Sequence, residues 1–245
     1  MINLLKYYYA GTNIKALLTF LVVQAFIFYG IYLDSDNGFH TFSQYFFQLH
    51  QGPANNKDFL NGLSWYFPLV FCIYLVGESV NDDLSKRSEL IFLRVPKLLW
   101  FLSRVLYILT FAFLVIVAKF LLAMVIYALF THSHASALSF ELSLFYYTLP
   151  VLVLSLFNVF SIYLISFMAF GNKLTYMVIC TALLLPWLLT FNKMTMFIPG
   201  SFSMLGHHTH IHNSMGLFSY GLDIVIILFT ILLAGGIYIH QKDII

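Results

Sequence analysis

The chain has 245 residues, of which 61% are apolar and 9% charged, with a net charge of +2. A soluble domain carries about 25% charged residues, so this little charge cannot clothe this much apolar side chain in water; 13 Gly, 6 Pro and 2 Cys also exclude collagenous, disordered and disulfide-scaffold chains. The 12 Lys and Arg are too scattered to track phosphates, which excludes nucleic acid as a partner, and what remains is an all-α, polytopic membrane protein in one domain over 1–245.

In chain order, six segments approach the roughly 20 apolar residues that a helix needs to cross a hydrocarbon core. Residues 1–15 come first; they alternate polar and aromatic side chains and suit an interfacial segment. No small-residue cleavage site follows, and Ala16–Leu33 is too long for a signal-peptide core, so it is expected to remain as span one. In the outer loop 34–62, Phe39, Phe42, Tyr45, Phe46 and Leu49 recur at helical spacing. That stripe predicts a short helix in the outer interface, the alternative being a loop packed over the bundle. Span two is Leu63–Val80, with Glu78 near its inner end and Cys72 in its interior.

The segment 82–97 is the densest in charge. Asp82 and Asp83 favour the start of a short helix there. Lys86 to Arg94 can continue it, with Leu90, Ile91 and Leu93 buried and Arg87, Glu89 and Arg94 exposed, and Pro96 stops it ahead of Lys97. An ordinary positively charged loop at the headgroups is the alternative. Span three, Val105–Phe130, contains Lys119. An outer loop, 131–141, leads to span four, Leu142–Phe170, which holds Pro150 and Asn158; span five, Leu174–Phe191, holds Cys180 and Pro186. Both cysteines read as small core residues rather than a disulfide. The semi-apolar outer segment 192–219, broken by Pro199-Gly200, suits short re-entrant helices, and span six, Tyr220–Ile239, begins beside Asp223.

Orientation follows from the cations. With the N-terminus in the cytoplasm, Lys6, Lys15, Lys86, Arg87, Arg94, Lys97, Arg104, Lys173 and Lys242 lie inside, and only Lys57 and Lys193 outside. Positive-inside bias therefore predicts six spans with both termini cytoplasmic. No loop is large enough for a catalytic domain, and no Gly-x-x-x-x-Gly-Lys-Ser/Thr loop is present to cradle ATP phosphates. No enzymatic activity and no catalytic residue are expected of this chain.

Glu89, the run Leu90-Ile91-Phe92-Leu93, then Pro96-Lys97 and Ser103-Arg104, follow one another in that order between spans two and three. This order resembles the coupling region of permease subunits of ABC exporters of the second class. The six-span layout and the semi-apolar region before span six resemble them as well. The resemblance covers the whole chain in layout and about 25 residues in motif; the long loop 34–62 and the histidines depart from it. It implies a permease in the cytoplasmic membrane of a bacterium, paired with an identical or homologous permease subunit. Two cytoplasmic ATPase subunits would carry ATP and Mg, and the cargo would be a peptide, a lipid-like molecule or another amphiphile. It further implies coupling through Asp82, Asp83, Arg87, Glu89, Arg94, Pro96 and Lys97 and through an N-terminal elbow at 3–15. Gln24, Thr19, Thr175 and Thr181 are then polar positions facing the partner permease.

Lys119 is about 15 residues into span three, roughly 22 Å from its inner end at 1.5 Å per residue. An ammonium there is costly unless it pairs or snorkels. Asp223 lies at similar depth and is the preferred partner, with Glu141 second. The pair reads either as a gate or cargo contact or as a structural ion pair. Glu78 is placed to cap or contact Arg104, and Asn158 to bond a neighbouring helix.

Eight of the nine histidines fall outside in this topology: His40, His50, His132, His134, His207, His208, His210 and His212. In an extended strand His208, His210 and His212 share one side, and in a helix His208 and His212 pair; with His207 they form a candidate Zn, Cu or Ni site. A pH-sensitive loop and a plain polar loop remain open. Two other functions fit the same composition, a His-dependent metal or cofactor permease and a His-rich intramembrane oxidoreductase. The second is weakened because His-x-x-His-His, His-Glu-x-x-His and Gly-x-Ser-x-Gly are all absent.

Overall fold

The computed structural model describes residues 7–9, 14–34, 39, 41–50, 59–83, 95–130, 142–189 and 215–240, with side chains for most of them. Among these, every regular element is helical: α1 (Ile14–Leu33), α2 (Phe42–His50), α3 (Phe59–Asn81), α4 (Lys97–Phe130), α5 (Leu142–Phe170), α6 (Asn172–Leu189) and α7 (Met215–His240). Four stretches are long and apolar enough to cross a membrane, namely α1, α3, α4 and residues 148–168 of α5. The chain is therefore a multi-pass membrane protein. The apolar parts of α6 and α7, Lys173–Leu185 and Ile224–Gly235, are shorter.

Each apolar segment of the sequence is helical over its described residues, but several helices overrun it. The sequence places the start of span three at Val105, whereas α4 begins at Lys97. Pro96 explains the early start. Its fixed φ suits the first turn, and its missing N–H costs nothing where a helix has no partner for one. The Trp100 amide already bonds the Pro96 carbonyl at 3.0 Å.

The long helices alternate in direction. At one end of the bundle Tyr29 and Tyr32 of α1 meet Phe130 at the end of α4, with ring centroids 4.5 and 5.9 Å apart. Phe20 stacks on Phe67 and Phe71 of α3, which runs the opposite way. At the other end α3 stops, α4 starts, and α5 turns into α6 through the single residue Gly171, whose φ of +81° is accessible to glycine without a Cβ clash. Gly235, near the end of α7, lies beside Phe101 at this same end. α5 packs against α3, α4, α6 and α7, so it is the central post. Gly77 lets α3 approach it closely, because a Cβ there would lie 2.8 Å from Cζ of Tyr163.

Large apolar side chains cover much of the outer surface, among them Leu18, Val22 and Phe26 on α1, Met177 and Val178 on α6, and Leu228, Phe229 and Leu232 on α7. Lipid, unlike water, tolerates such a coat.

The stripe in the first loop forms a helix as its spacing predicts, but its apolar face meets protein. Phe42, Tyr45, Phe46, Leu49 and His50 of α2 are all buried, and the helix packs against α1, α3 and α4. The Tyr45 hydroxyl donates to the Phe28 carbonyl at 2.9 Å, and the Ser64 hydroxyl to the Leu49 carbonyl at 2.9 Å. A helix pinned in this way cannot lay those rings in the lipid interface, so the packed-over alternative describes it better.

Candidate functional site

Where α3 hands over to α4, a polar joint is enclosed in apolar packing. Trp100, Ser103, Arg104 and Tyr107 recur at i, i+3, i+4 and i+7 on α4 and form one face, all buried. Arg104 lies at the centre of that face with no exposed surface. Its Nη1 donates to Ser79 Oγ at 2.8 Å and its Nη2 to the Ser79 carbonyl at 3.0 Å. That carbonyl belongs to the last turn of α3, where helical carbonyls lack partners and a cation is favoured. Nη2 also forms an ion pair with Asp83 Oδ2. Trp100 Nε1–H donates to the same carboxylate oxygen at 3.0 Å.

The N-terminal stretch closes the joint. Residues 7–9 are helical, and the Tyr8 ring lies 3.6 Å from the guanidinium carbon of Arg104, a cation–π contact shielded from water. The Tyr8 hydroxyl shares a 3.3 Å hydrogen bond with Ser103, and the Tyr9 hydroxyl a 2.5 Å bond with Thr110. Burial raises the pKa of the Tyr8 phenol, which Arg104 partly opposes; the group stays protonated. None of these groups is poised as a nucleophile or general base. The joint is mechanical: it locks the end of α3, the start of α4 and the N-terminal stretch into one body.

The sequence assigns the Arg104 contact to Glu78, but the structure gives that place to Asp83. Glu78 is exposed on α3, whereas Asp83, one turn further on, is almost wholly buried. Asp82 and Asp83 also prolong the end of α3, where the sequence expects the start of a new helix. Asp82 and Lys97 are half-buried and Pro96 is exposed. Arg87, Glu89 and Arg94 lie outside the described residues. Tyr8, Ser79 and Trp100 were not legible as site residues, although the Trp-x-x-Ser-Arg spacing was there to read.

A second polar group lies in the half of the bundle under α2. Lys119 is buried, with its Nζ 5.9 Å from the centroid of the Phe28 ring, and it interacts electrostatically with His50 and Cys72. Gln24 is fully buried, with neither side-chain polar atom bonded among the described residues, so it faces the interior rather than a partner subunit. Thr175 is likewise buried, its hydroxyl unbonded among the described residues, while Thr19 and Thr181 are exposed and bond back to the carbonyls of Lys15 and Met177. His50 Nδ1 is 3.0 Å from the Phe46 carbonyl, and its Nε2 has no partner among the described residues. Burial, and then the Lys119 cation, hold its pKa well below the ordinary 6.5. Asn158 is buried in α5.

The side chain of Asp223, Glu141 and the histidines at 40, 132, 134, 207, 208, 210 and 212 lie outside the described residues. Among the described residues no three His, Cys, Asp or Glu side chains converge on a metal position. Cys72 and Cys180 are both free thiols. Comparison with known protein families, curated proteins and solved structures finds no match to this chain.

Proposed function

We propose that this chain is the membrane-spanning subunit of an ATP-driven ABC exporter of the second class, moving amphipathic cargo with power from a separate ATPase. The observation that carries this reading is the buried joint of Arg104, Asp83, Ser79, Trp100 and Tyr8. It fastens together the two helices that flank residues 84–94 and the stretch that precedes α1. A push delivered to 84–94 would move α3, α4 and the N-terminal stretch together instead of being lost in a loose loop.

Other features support the same reading. The sequence contains no phosphate-binding loop, so work must be supplied by another polypeptide carrying ATP and Mg. The alternating helix directions and the bias of Lys and Arg favour six crossings with both termini in the cytoplasm. In that arrangement α6 and α7 cross with partners covering their shorter apolar parts, and a second permease subunit completes the conduit. Binding of ATP by the ATPases then biases the bundle only through contacts that differ between its two states.

The test is affinity purification of the full chain in mild detergent. An ATPase subunit should copurify, and it should be lost when Arg87, Glu89 and Arg94 are replaced together by Ala. Recovery of the chain alone, with its cellular activity intact, would overturn the proposal.

A further inference from the structure

The short helix α2 does not lie across the ends of its neighbours; it descends between them. α1 has 20 residues, about 30 Å, which matches a hydrocarbon core, so Leu33 marks one edge of that core. Phe39 sits at that level, with its ring beside Tyr32 and its carbonyl accepting from the Tyr127 hydroxyl at 3.3 Å. The Tyr45 hydroxyl reaches the carbonyl of Phe28, five residues before Leu33 and about 8 Å deeper. Leu60 of α3 packs against Gly30, about 4 Å in, and Ser64, which bonds the Leu49 carbonyl, is one turn or about 6 Å further. The tip of α2 is thus about 10 Å inside the core. On α4 the rings of Phe42 and Phe46 meet Phe120 at 5.5 and 5.4 Å, ten residues before Phe130 and about 15 Å deeper.

α3 and α4 are fastened directly to each other at the opposite end, through Arg104, Ser79 and Asp83. At this end α2 lies between them, on Ser64 of one and on Phe120 and Tyr127 of the other. The surroundings of its tip are polar. Ser64, His50 and Lys119 are all buried there, and Lys119 interacts electrostatically with His50 and with Cys72, two turns beyond Ser64 on α3. Burying such groups costs free energy, and ionisable side chains within a membrane bundle line its interior or a water-filled cavity. A helix fixed in place would keep them from water permanently, whereas one that withdraws lets water reach them. Further in, Phe20 stacked on Phe67 and Phe71 closes α1 against α3.

We propose that α2 is a re-entrant gate: it closes the space between α1, α3 and α4 at the Phe130 end of the bundle, and its withdrawal opens a water path from that face to Lys119 and Cys72. Its hold is light enough for such a role. Two side-chain hydrogen bonds, from Tyr45 and Ser64, and the edge-to-face contacts of Phe42 and Phe46 pin nine residues. The gate deepens the exporter reading by naming where cargo would leave, and rests on that reading for the exit role alone.

Cys72 is a built-in reporter, a buried free thiol deeper in the bundle than α2. The full chain carrying Cys180→Ala, with any subunit that copurifies, is placed in nanodiscs and treated with a membrane-impermeant maleimide, and labelling of Cys72 is followed by mass spectrometry. Labelling should be slow. Tyr45→Phe/Ser64→Ala removes both hydrogen bonds and keeps the rings, and should speed labelling about tenfold, the worth of two net hydrogen bonds. Gly171→Ala, a destabilising change at the far end of the bundle, should leave the rate unchanged. A disulfide between Phe46→Cys and Phe120→Cys should abolish labelling, and reduction should restore it. Equal rates in Tyr45→Phe/Ser64→Ala and its parent would overturn the gate, as would labelling that persists in the cross-linked protein. An equal rise in Gly171→Ala would reveal general loosening and overturn it too. The expected labelling pattern without a copurifying ATPase would sink the exporter and leave the gate, and a copurifying ATPase without that pattern would do the reverse.

Discussion

Asp83 Oδ2 is held twice, by the guanidinium of Arg104, 21 residues away, and by the indole N–H of Trp100, both on the opposite helix. A single carboxylate oxygen thus fastens the end of α3 to two successive turns of α4. Burial makes the pair costly to form and costlier to break, since a lone charge would be left without water.

Asp83→Ala should therefore lower stability by about 3–5 kcal/mol, the usual result of orphaning a buried charge. The double variant Asp83→Leu/Arg104→Met should recover most of that loss. Thermal unfolding in detergent measures both, and a double variant no more stable than Asp83→Ala would contradict the account.

Substitution can separate what the Tyr8 hydroxyl contributes from what its ring contributes. Tyr8→Phe keeps the ring over Arg104 and loses the bond to Ser103, at a cost of about 0.5–1.5 kcal/mol. Tyr8→Leu should cost about 1–2 kcal/mol more, because the cation–π contact also goes. If the two variants unfold at the same temperature, the ring face contributes nothing.

His50 sets an acid limit. Its folded-state pKa lies below the unfolded value of 6.5, so the unfolded chain binds the proton more readily. Stability should fall as pH drops below about 6.5, with a slope approaching about 1.4 kcal/mol per pH unit. Unfolding temperatures at pH 7.5 and pH 5 should diverge in the wild type and converge in His50→Gln. Equal divergence in both would place the acid sensitivity elsewhere.

Two glycines should respond differently to Ala. At Gly77 the new Cβ would meet the Tyr163 ring, and overpacking there should cost about 1–3 kcal/mol. At Gly171 nothing lies within 4 Å, so only the left-handed backbone resists, by about 1–2 kcal/mol. Tyr163→Leu should soften the first effect and leave the second unchanged, as thermal unfolding of the paired variants would show.

The all-helical, membrane-spanning character was legible because apolar runs of that length leave the backbone no other way to satisfy its hydrogen bonds in lipid. The helix at Phe42–His50 was legible from its period, but not the side it faces. Apolar rings suit lipid and protein alike, and only the Tyr45 and Ser64 bonds pin it to the bundle. The Arg104 joint was half legible. Proximity along the chain pointed to Glu78, yet the helix carries Glu78 outward and turns Asp83 in, a matter of phase at a helix end. Gln24 could be read as polar in an apolar span, but its inward orientation depends on which face α3 and α4 cover.

The one-residue turn at Gly171 leaves α5 and α6 almost no protruding surface at the end of the bundle where α3 and α4 also meet. On the proposed topology, a cytoplasmic motor has little to grip beneath the central post. Its purchase would then come through α3 and α4, whose facing ends meet at that same end of the bundle, so the stroke would arrive as leverage around α5 rather than as a thrust along it.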